Sequence, residues 1–405
     1  MSRPLPLEGI KVVEFSHMVM GPTAGVTLAD LGAEVVKIEP VGRGDKTRYL
    51  PGSGSGYFPM FNRNKKSLAV DLKSEEGRTL VRRLVAEADV VTENFRPGGL
   101  DAMGLGYEDL SRDNPGLVYL SMKGFLSGPY EKRAALDEVV QMMGGLAYMT
   151  GPPGQPLRAG TSVNDIMGGL FGALAVMAAL MERNQTGRGQ LVRSSLFENN
   201  VFLVGQHMAQ YGVTGTPASP MPARLSAWAI YEVFDTMDEK IFIGVVSDTN
   251  WRSFCAAFGL DELGADPSLA TNADRVAARE RVIPVVKQRL ATLTQAEACR
   301  LCEDANLPFA PIQRPEDLFE DPHLNESGAM PEVTLPNGQR LPLPALPIEM
   351  GGERLGVRLD LPEPGEHGAD IARSLGYGEE ELNELLAAGI ISIPAPAEDK
   401  ATTTH

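Results

Sequence analysis

The chain has 405 residues, 43% of them apolar, and a net charge of −16 from 37 basic and 53 acidic side chains. That length allows two or more domains with sizeable cores, and the apolar share excludes wholesale disorder. So acidic a chain has no electrostatic footprint for nucleic acid and is repelled by anionic lipid, while a local basic pocket still suits an anionic ligand.

In chain order the pattern begins β-α-β. A strand over 11–16 (KVVEFS) is followed by a turn at Gly21 and Pro22, a helix over 23–31 and a strand over 34–39 (EVVKIE). A short strand over 68–71, a helix over 74–87, and strands over 89–93 and 117–122 continue it. Strands alternating with helices predict an α/β fold with a parallel, doubly wound sheet, whose ligands gather at the carboxyl ends of the strands. A buried helix over 166–181, the polar turn NQTGRGQ at 184–190, a strand over 191–194 and a helix over 196–211 complete the first region, residues 1–211. The apolar run 166–181 is short for a membrane span.

Residues 212–228, rich in Pro, Gly, Ser and Thr, read as a linker. A hairpin over 230–237 and 240–246, with helical patterns over 249–259, 276–293 and 294–305, predicts a smaller α+β domain over 229–330. Residues 331–390, ending in a helix over 375–388, are expected to return and complete the large domain. Residues 391–405 read as a disordered tail.

Several motifs fall short of a site. The first turn, HMVMGPTAG, has Gly21 and Gly25 but not the three glycines of a dinucleotide fingerprint, and Pro22 removes an amide donor. Glu39 stands where a ribose-binding acid would. Cys299 and Cys302 match C-x-x-C, but no second pair or nearby histidine completes a zinc site, so they read as core filling. Three cysteines are too few for a disulfide framework, and MSRPLPLEGIKVVEF lacks the apolar core of a signal peptide. A cytoplasmic protein is expected. The five histidines are scattered and no G-x-S-x-G elbow is present, so the chemistry should rest on a carboxylate.

Two stretches carry more. FNRNKKSLAVDLK concentrates Arg63, Lys65, Lys66 and Lys73, either as a solvated loop or as a phosphate cradle. ENFRPG ends a strand, where Arg96 can hold an anion. Asp165 in RAGTSVNDIMGG opens the apolar helix. As a cap it would satisfy a free helix amide, though Asn164 and Ser162 suit that work equally.

Together LEGIKVVEF, GPTAG, LADLGAEVVKIE, NRNKKSLAVDLK, ENFRPGGLDAMGLGYEDL and TGRGQ resemble the family III CoA-transferases, over residues 7 to 385. The resemblance implies a doubly wound, Rossmann-like large domain plus a smaller α+β domain, with two chains interlocked as a homodimer. It also implies that Asp165 is the catalytic nucleophile. Moving CoA between two acids needs a nucleophile that keeps a carboxyl group once acylated, which serine lacks. Amide donors for the oxyanions would come from glycines and helix starts.

The resemblance places CoA contacts at Val19 and Met20, at Val70, Asp71, Leu72 and Lys73, at Asn94, Phe95 and Arg96, and at Asp137. An arginine frequent after the second strand is Pro40 here, and a basic residue after ENFRPG falls near Ala102; Lys132 and Arg133 are expected to compensate. The covering glycine-rich loop of formyl-CoA transferases is absent, with PARLSAW in its place. The partners implied are an acyl-CoA donor, with succinyl-CoA expected, and a small acid acceptor, a dicarboxylate such as glutarate, itaconate or citramalate. No tightly bound cofactor or metal is implied; CoA is substrate. A racemase of the same superfamily would carry a histidine where Leu136 stands before Asp137, and leucine carries no proton. A CoA-binding protein without activity is the third reading.

Overall fold

Valine-rich runs without polar alternation suit strands covered on both faces. In the computed structural model, which describes residues 4–224 and 226–394, such runs form β1 (Lys11–Phe15), β2 (Glu34–Glu39) and β4 (Val90–Glu93), and KKSLAV forms β3 (Lys65–Val70), which starts three residues before the expected strand. α1 (Met20–Asp30) joins β1 to β2, and α2 (Glu75–Ala86), capped by the Ser74 side chain on Gly77 N, joins β3 to β4. β5 (Val118–Lys123) is followed by α3 (Asp137–Met143), the long α4 (Val163–Thr186), β6 (Leu191–Ser195) and α5 (Leu196–Thr214).

Strands β3-β2-β1-β4-β5-β6 pair in that order, all parallel. α1 and α4 cover one face through Leu28, Ala173 and Val176, and α2 covers the other through Leu80, Val81 and Val85. The order reverses between β1 and β4, so the carboxyl edge opens there. α4 exceeds the expected helix by one turn at its start and stops at Gly187, which takes φ 71°. By length and composition α4 is apolar enough to cross a membrane, yet it packs on α1, β5 and β6.

The described residues divide into two compact units, the second spanning Ala223–His323. It contains a hairpin of β7 (Ile230–Asp235) and β8 (Lys240–Val245), helices α6 (Asp248–Ala257), α7 (Arg279–Leu290) and α8 (Gln295–Asp304), and β9 (Phe309–Pro311) beside β8. Cys302 on α8 is wholly buried, and burial pushes its thiol up to about 12.

Several boundaries differ from expectation. α5 continues to Thr214, inside the stretch read as a linker, and residues 324–330 cluster with the first unit. The single helix expected over 375–388 is two, α9 (Gly368–Ser374) and α10 (Glu379–Ala387), broken where Gly376 takes φ 85°. The tail does not begin at 391: Ile391–Ser392 forms β10, antiparallel to β3, with Ile391 buried. An apolar residue meeting an open strand edge supplies the order that composition alone does not predict. Residues 395–405 lie outside those described.

Candidate active site

α4 can start where it does because its first turns carry no bulk. A Cβ on Gly169 would lie 2.6 Å from Met20 O and 2.6 Å from Thr23 Cβ, and one on Gly168 2.4 Å from Met20 Cε. Small residues let α4 cross α1 closely and bring the β1–α1 loop against its start. Ile166 packs on Val19, Val26 and Phe61.

Asp165 is the third residue of α4 and is half-buried. It is not the cap. Ser162, at the cap position, makes no side-chain capping bond. The cap comes from another element: Asp137 Oδ2 accepts the N–H groups of Asn164 at 2.7 Å and Asp165 at 3.0 Å. Asp137 Oδ1 accepts from Gln141 Nε2 at 2.5 Å, and Gln141 Oε1 accepts from Ala159 N at 2.8 Å. A buried carboxylate on α3 thus fixes both the segment before α4 and its first turn.

This arrangement leaves the Asp165 carboxylate without a hydrogen bond among the described residues, while burial, then the charge of Asp137, raises its pKa to about 7. The helix dipole works the other way, but it is worth about 0.3–1 kcal/mol against about 1.4 kcal/mol per pKa unit. Burial therefore wins. The first amides of α4 are engaged within the protein and are not free oxyanion donors. Val163 N bonds to Thr161 O, Asn164 N and Asp165 N to Asp137, and Ile166 N to Ser162 O.

The β1–α1 and β4 loops are tied at the carboxyl edge. Asn94 Oδ1 accepts His17 N at 3.1 Å, and Asn94 Nδ2 donates to His17 O at 2.9 Å. The Phe95 ring sits 5.5 Å from that of His17. A Cβ on Gly21 would lie 2.9 Å from Asn94 Cγ, so this glycine serves the crossing of two loops.

Of the expected contact residues, Val19 and Met20 are buried beside the start of α4, and Asn94 and Phe95 are tied to the same loop. Val70 is in the core, with Asp71, Leu72 and the exposed Lys73 at the end of β3. Arg96 and Lys132 are exposed; the Arg133 guanidinium lies 4.8 Å over the Tyr130 ring. Asp137 is a capping residue with both oxygens engaged.

Three of the four cations in the basic stretch are paired within the fold, and Lys73 is exposed. Arg63 pairs with Asp30 at 2.7 Å and Lys65 with Glu14 at 2.8 Å, all four buried, and Lys66 pairs with Glu34 at 3.1 Å. Glu39, the candidate ribose acid, is held by Arg48 at 2.6 Å and by Ser67 Oγ at 2.7 Å. A cavity of about 200 Å³ at the ends of β4, β5 and β6 is lined by Glu93, Arg96, Ser121, Lys123 and Arg193. Asp165 is not among its lining residues. Among the described residues no group of three His, Cys, Asp or Glu can hold a metal.

The sequence profile described as CoA-transferase family III matches residues 7–368. A Homo sapiens protein named succinyl-CoA:glutarate CoA-transferase is 32% identical over 393 residues, 95% of this chain and 90% of its own. One from Agrobacterium fabrum named succinate–glutarate CoA-transferase is 34% identical over 386 residues, 92% of this chain and 96% of its own. The solved structure of a CaiB/BaiF family protein from Brucella suis is similar with a TM-score of 0.82 at 35% identity, over 92% of this chain and all of its own.

Proposed function

The chain belongs to CoA-transferase family III and is a CoA-transferase, and from that premise we propose that it moves CoA from succinyl-CoA to a small dicarboxylate through a thioester on Asp165. The observation that carries the reading is the Asp165 carboxylate, half-buried at a capped helix start and free of hydrogen bonds among the described residues. An unbonded, poorly solvated carboxylate is a stronger nucleophile than a hydrated one.

A carboxylate oxygen of Asp165 attacks the donor thioester carbonyl, the C–S bond breaks, and CoA thiolate leaves a mixed anhydride. The thiolate attacks the aspartyl carbonyl and expels succinate, giving the aspartyl–CoA thioester. The acceptor carboxylate then attacks that thioester, and the thiolate returns to the acceptor's carbonyl. Asp165 is regenerated with no net change in protons or electrons. Glutarate is the acceptor favoured, because it is the acid named for two of the relatives. Leu136, exposed before the Asp137 cap, offers no proton for a racemase.

The reading includes a homodimer. Leu174 and Met181 on α4 and Phe202 and Met208 on α5 are all more than half exposed, an apolar face of the kind a partner covers. A second copy is the occupant the family resemblance implies, and light scattering at micromolar concentration should give twice the chain mass.

The direct test is intact-protein mass spectrometry after brief mixing with succinyl-CoA, on wild type and Asp165→Asn. A CoA-sized adduct on wild type alone, lost to hydroxylamine, is expected. No adduct with succinyl-CoA or any other short acyl-CoA would remove the covalent mechanism.

A further inference from the structure

Six ionisable side chains are packed beneath the β1–α1 loop, and the chemistry proposed for Asp165 uses none of them. Glu14 lies at the centre and is fully buried. Lys65 Nζ is 2.8 Å from Glu14 Oε2, and Lys37 Nζ is 3.4 Å from Glu14 Oε1 and 3.0 Å from Asp45 Oδ2. The adjoining pair is Glu39 and Arg48. Three cations match three anions. Burial works against the Lys37 charge, but Glu14, Asp45 and Glu39 hold its ammonium above the ordinary value. Buried pairs of this kind rarely add stability over apolar residues of the same volume. Their remaining hydrogen bonds show another use.

Each lysine donates to the backbone at one end of the loop, Lys37 to its first residue and Lys65 to the first turn of α1. Lys37 Nζ donates to Ser16 O at 2.7 Å, and Lys65 Nζ to Pro22 O at 3.0 Å. Asp45 Oδ1 accepts the N–H of Thr47 at 2.9 Å and its hydroxyl at 2.8 Å. Thr47 Oγ1 in turn accepts the N–H of Met18 at 3.0 Å. Met18 has φ 63°, a left-handed conformation that costs a non-glycine residue about 1–2 kcal/mol and lasts only where the surroundings impose it. α1 lies over the cluster through Gly25, where a Cβ would stand 1.6 Å from Glu14 Oε2.

We infer that Glu14, Lys37, Asp45, Thr47 and Lys65 are positioning residues: a buried charge cluster that locks Met18 in its left-handed conformation and so presents the β1–α1 loop, seated on the start of α4 by Val19 and Met20, to the acyl-CoA beside Asp165. The locking stands on these contacts alone; the presentation of acyl-CoA rests on the function proposed above.

Thr47→Val tests it without stranding a buried charge, and Thr47→Ser restores the hydroxyl. Amide hydrogen exchange of peptides over 16–22 reads the locking. KM for succinyl-CoA and kcat, with glutarate as acceptor, read the presentation. For Thr47→Val the loop should exchange about tenfold faster and KM rise about tenfold, the equivalent of one hydrogen bond. kcat should stay within about twofold, with Tm lowered by no more than about 4 °C and a near-wild-type Thr47→Ser. Lys37→Met should move both readouts the same way, and the Thr47 pair decides if that variant does not fold. Loop exchange equal to wild type in Thr47→Val would overturn the locking, and faster exchange with an unmoved KM would overturn the presentation. Absence of transfer by wild type would count against the proposed function, and the exchange data would still decide the locking.

Discussion

Asp137 Oδ2 accepts the backbone N–H of Asp165 at 3.0 Å, so one carboxylate anchors the residue that carries the other. The contact has two effects of opposite kind. It fixes the start of α4, and it sets a negative charge beside the Asp165 side chain, adding to the upward push of burial on its pKa.

A pH dependence follows. The nucleophile is the ionised carboxylate, so kcat/KM should fall as pH drops through about 7. Asp137→Asn keeps an oxygen for the cap and removes the charge, so its acid limb should move to lower pH. An identical limb in both proteins would show that the Asp137 charge does not reach Asp165.

Asp165→Asn should lose activity by at least about 10³-fold, as expected when a nucleophile is removed. Its stability should change the other way. Between the ordinary value of 3.8 and about 7, folded protein holds a proton on Asp165 that unfolded chain has released. Stability from that proton is present below 3.8 and is lost as pH rises to about 7. Asparagine has no such loss. The variant's Tm should therefore gain on that of wild type from pH 4 to pH 8, by about 2 °C or more. A Tm difference that does not grow with pH would contradict a raised Asp165.

Gly169→Ala tests the helix crossing. Alanine gains about 1 kcal/mol over glycine in a helix interior. Here its Cβ would stand 2.6 Å from Met20 O and 2.9 Å from Ala24 N, both backbone atoms. Overpacking costs about 1–3 kcal/mol, so net destabilisation in urea unfolding is expected, with a weaker affinity for acyl-CoA as the loop shifts. A more stable variant would mean that α1 and α4 separate freely.

What was legible in the sequence was local. Valine runs and their spacing located β1, β2 and β4, whereas α4 and α5 run past their expected ends at 181 and 211 to the glycines after Thr186 and Thr214. What was missed depends on partners far along the chain. Asp137 caps a helix 28 residues later. Lys65 reads as a surface charge until Glu14, 51 residues earlier, is seen beside it. No local pattern announces either, because a buried ion is recognisable only with its counter-ion. One weak signal was available: Glu14 stands within KVVEF.

Arg63 makes that lesson measurable. If the basic stretch bound CoA phosphates, Arg63→Met would raise KM for acyl-CoA and leave the fold alone. In the structure Arg63 is buried against Asp30, whose Oδ2 accepts from Nη2 at 2.7 Å, and Asn64 Nδ2 holds Oδ1 at 2.8 Å. Removing one partner of a buried pair strands the other charge, at about 3–5 kcal/mol. Arg63→Met should therefore unfold at markedly lower urea, with KM of the remaining folded enzyme unchanged. Arg63→Met combined with Asp30→Leu should recover much of the loss, because the stranded carboxylate is gone. A raised KM with full stability would return Arg63 to the ligand.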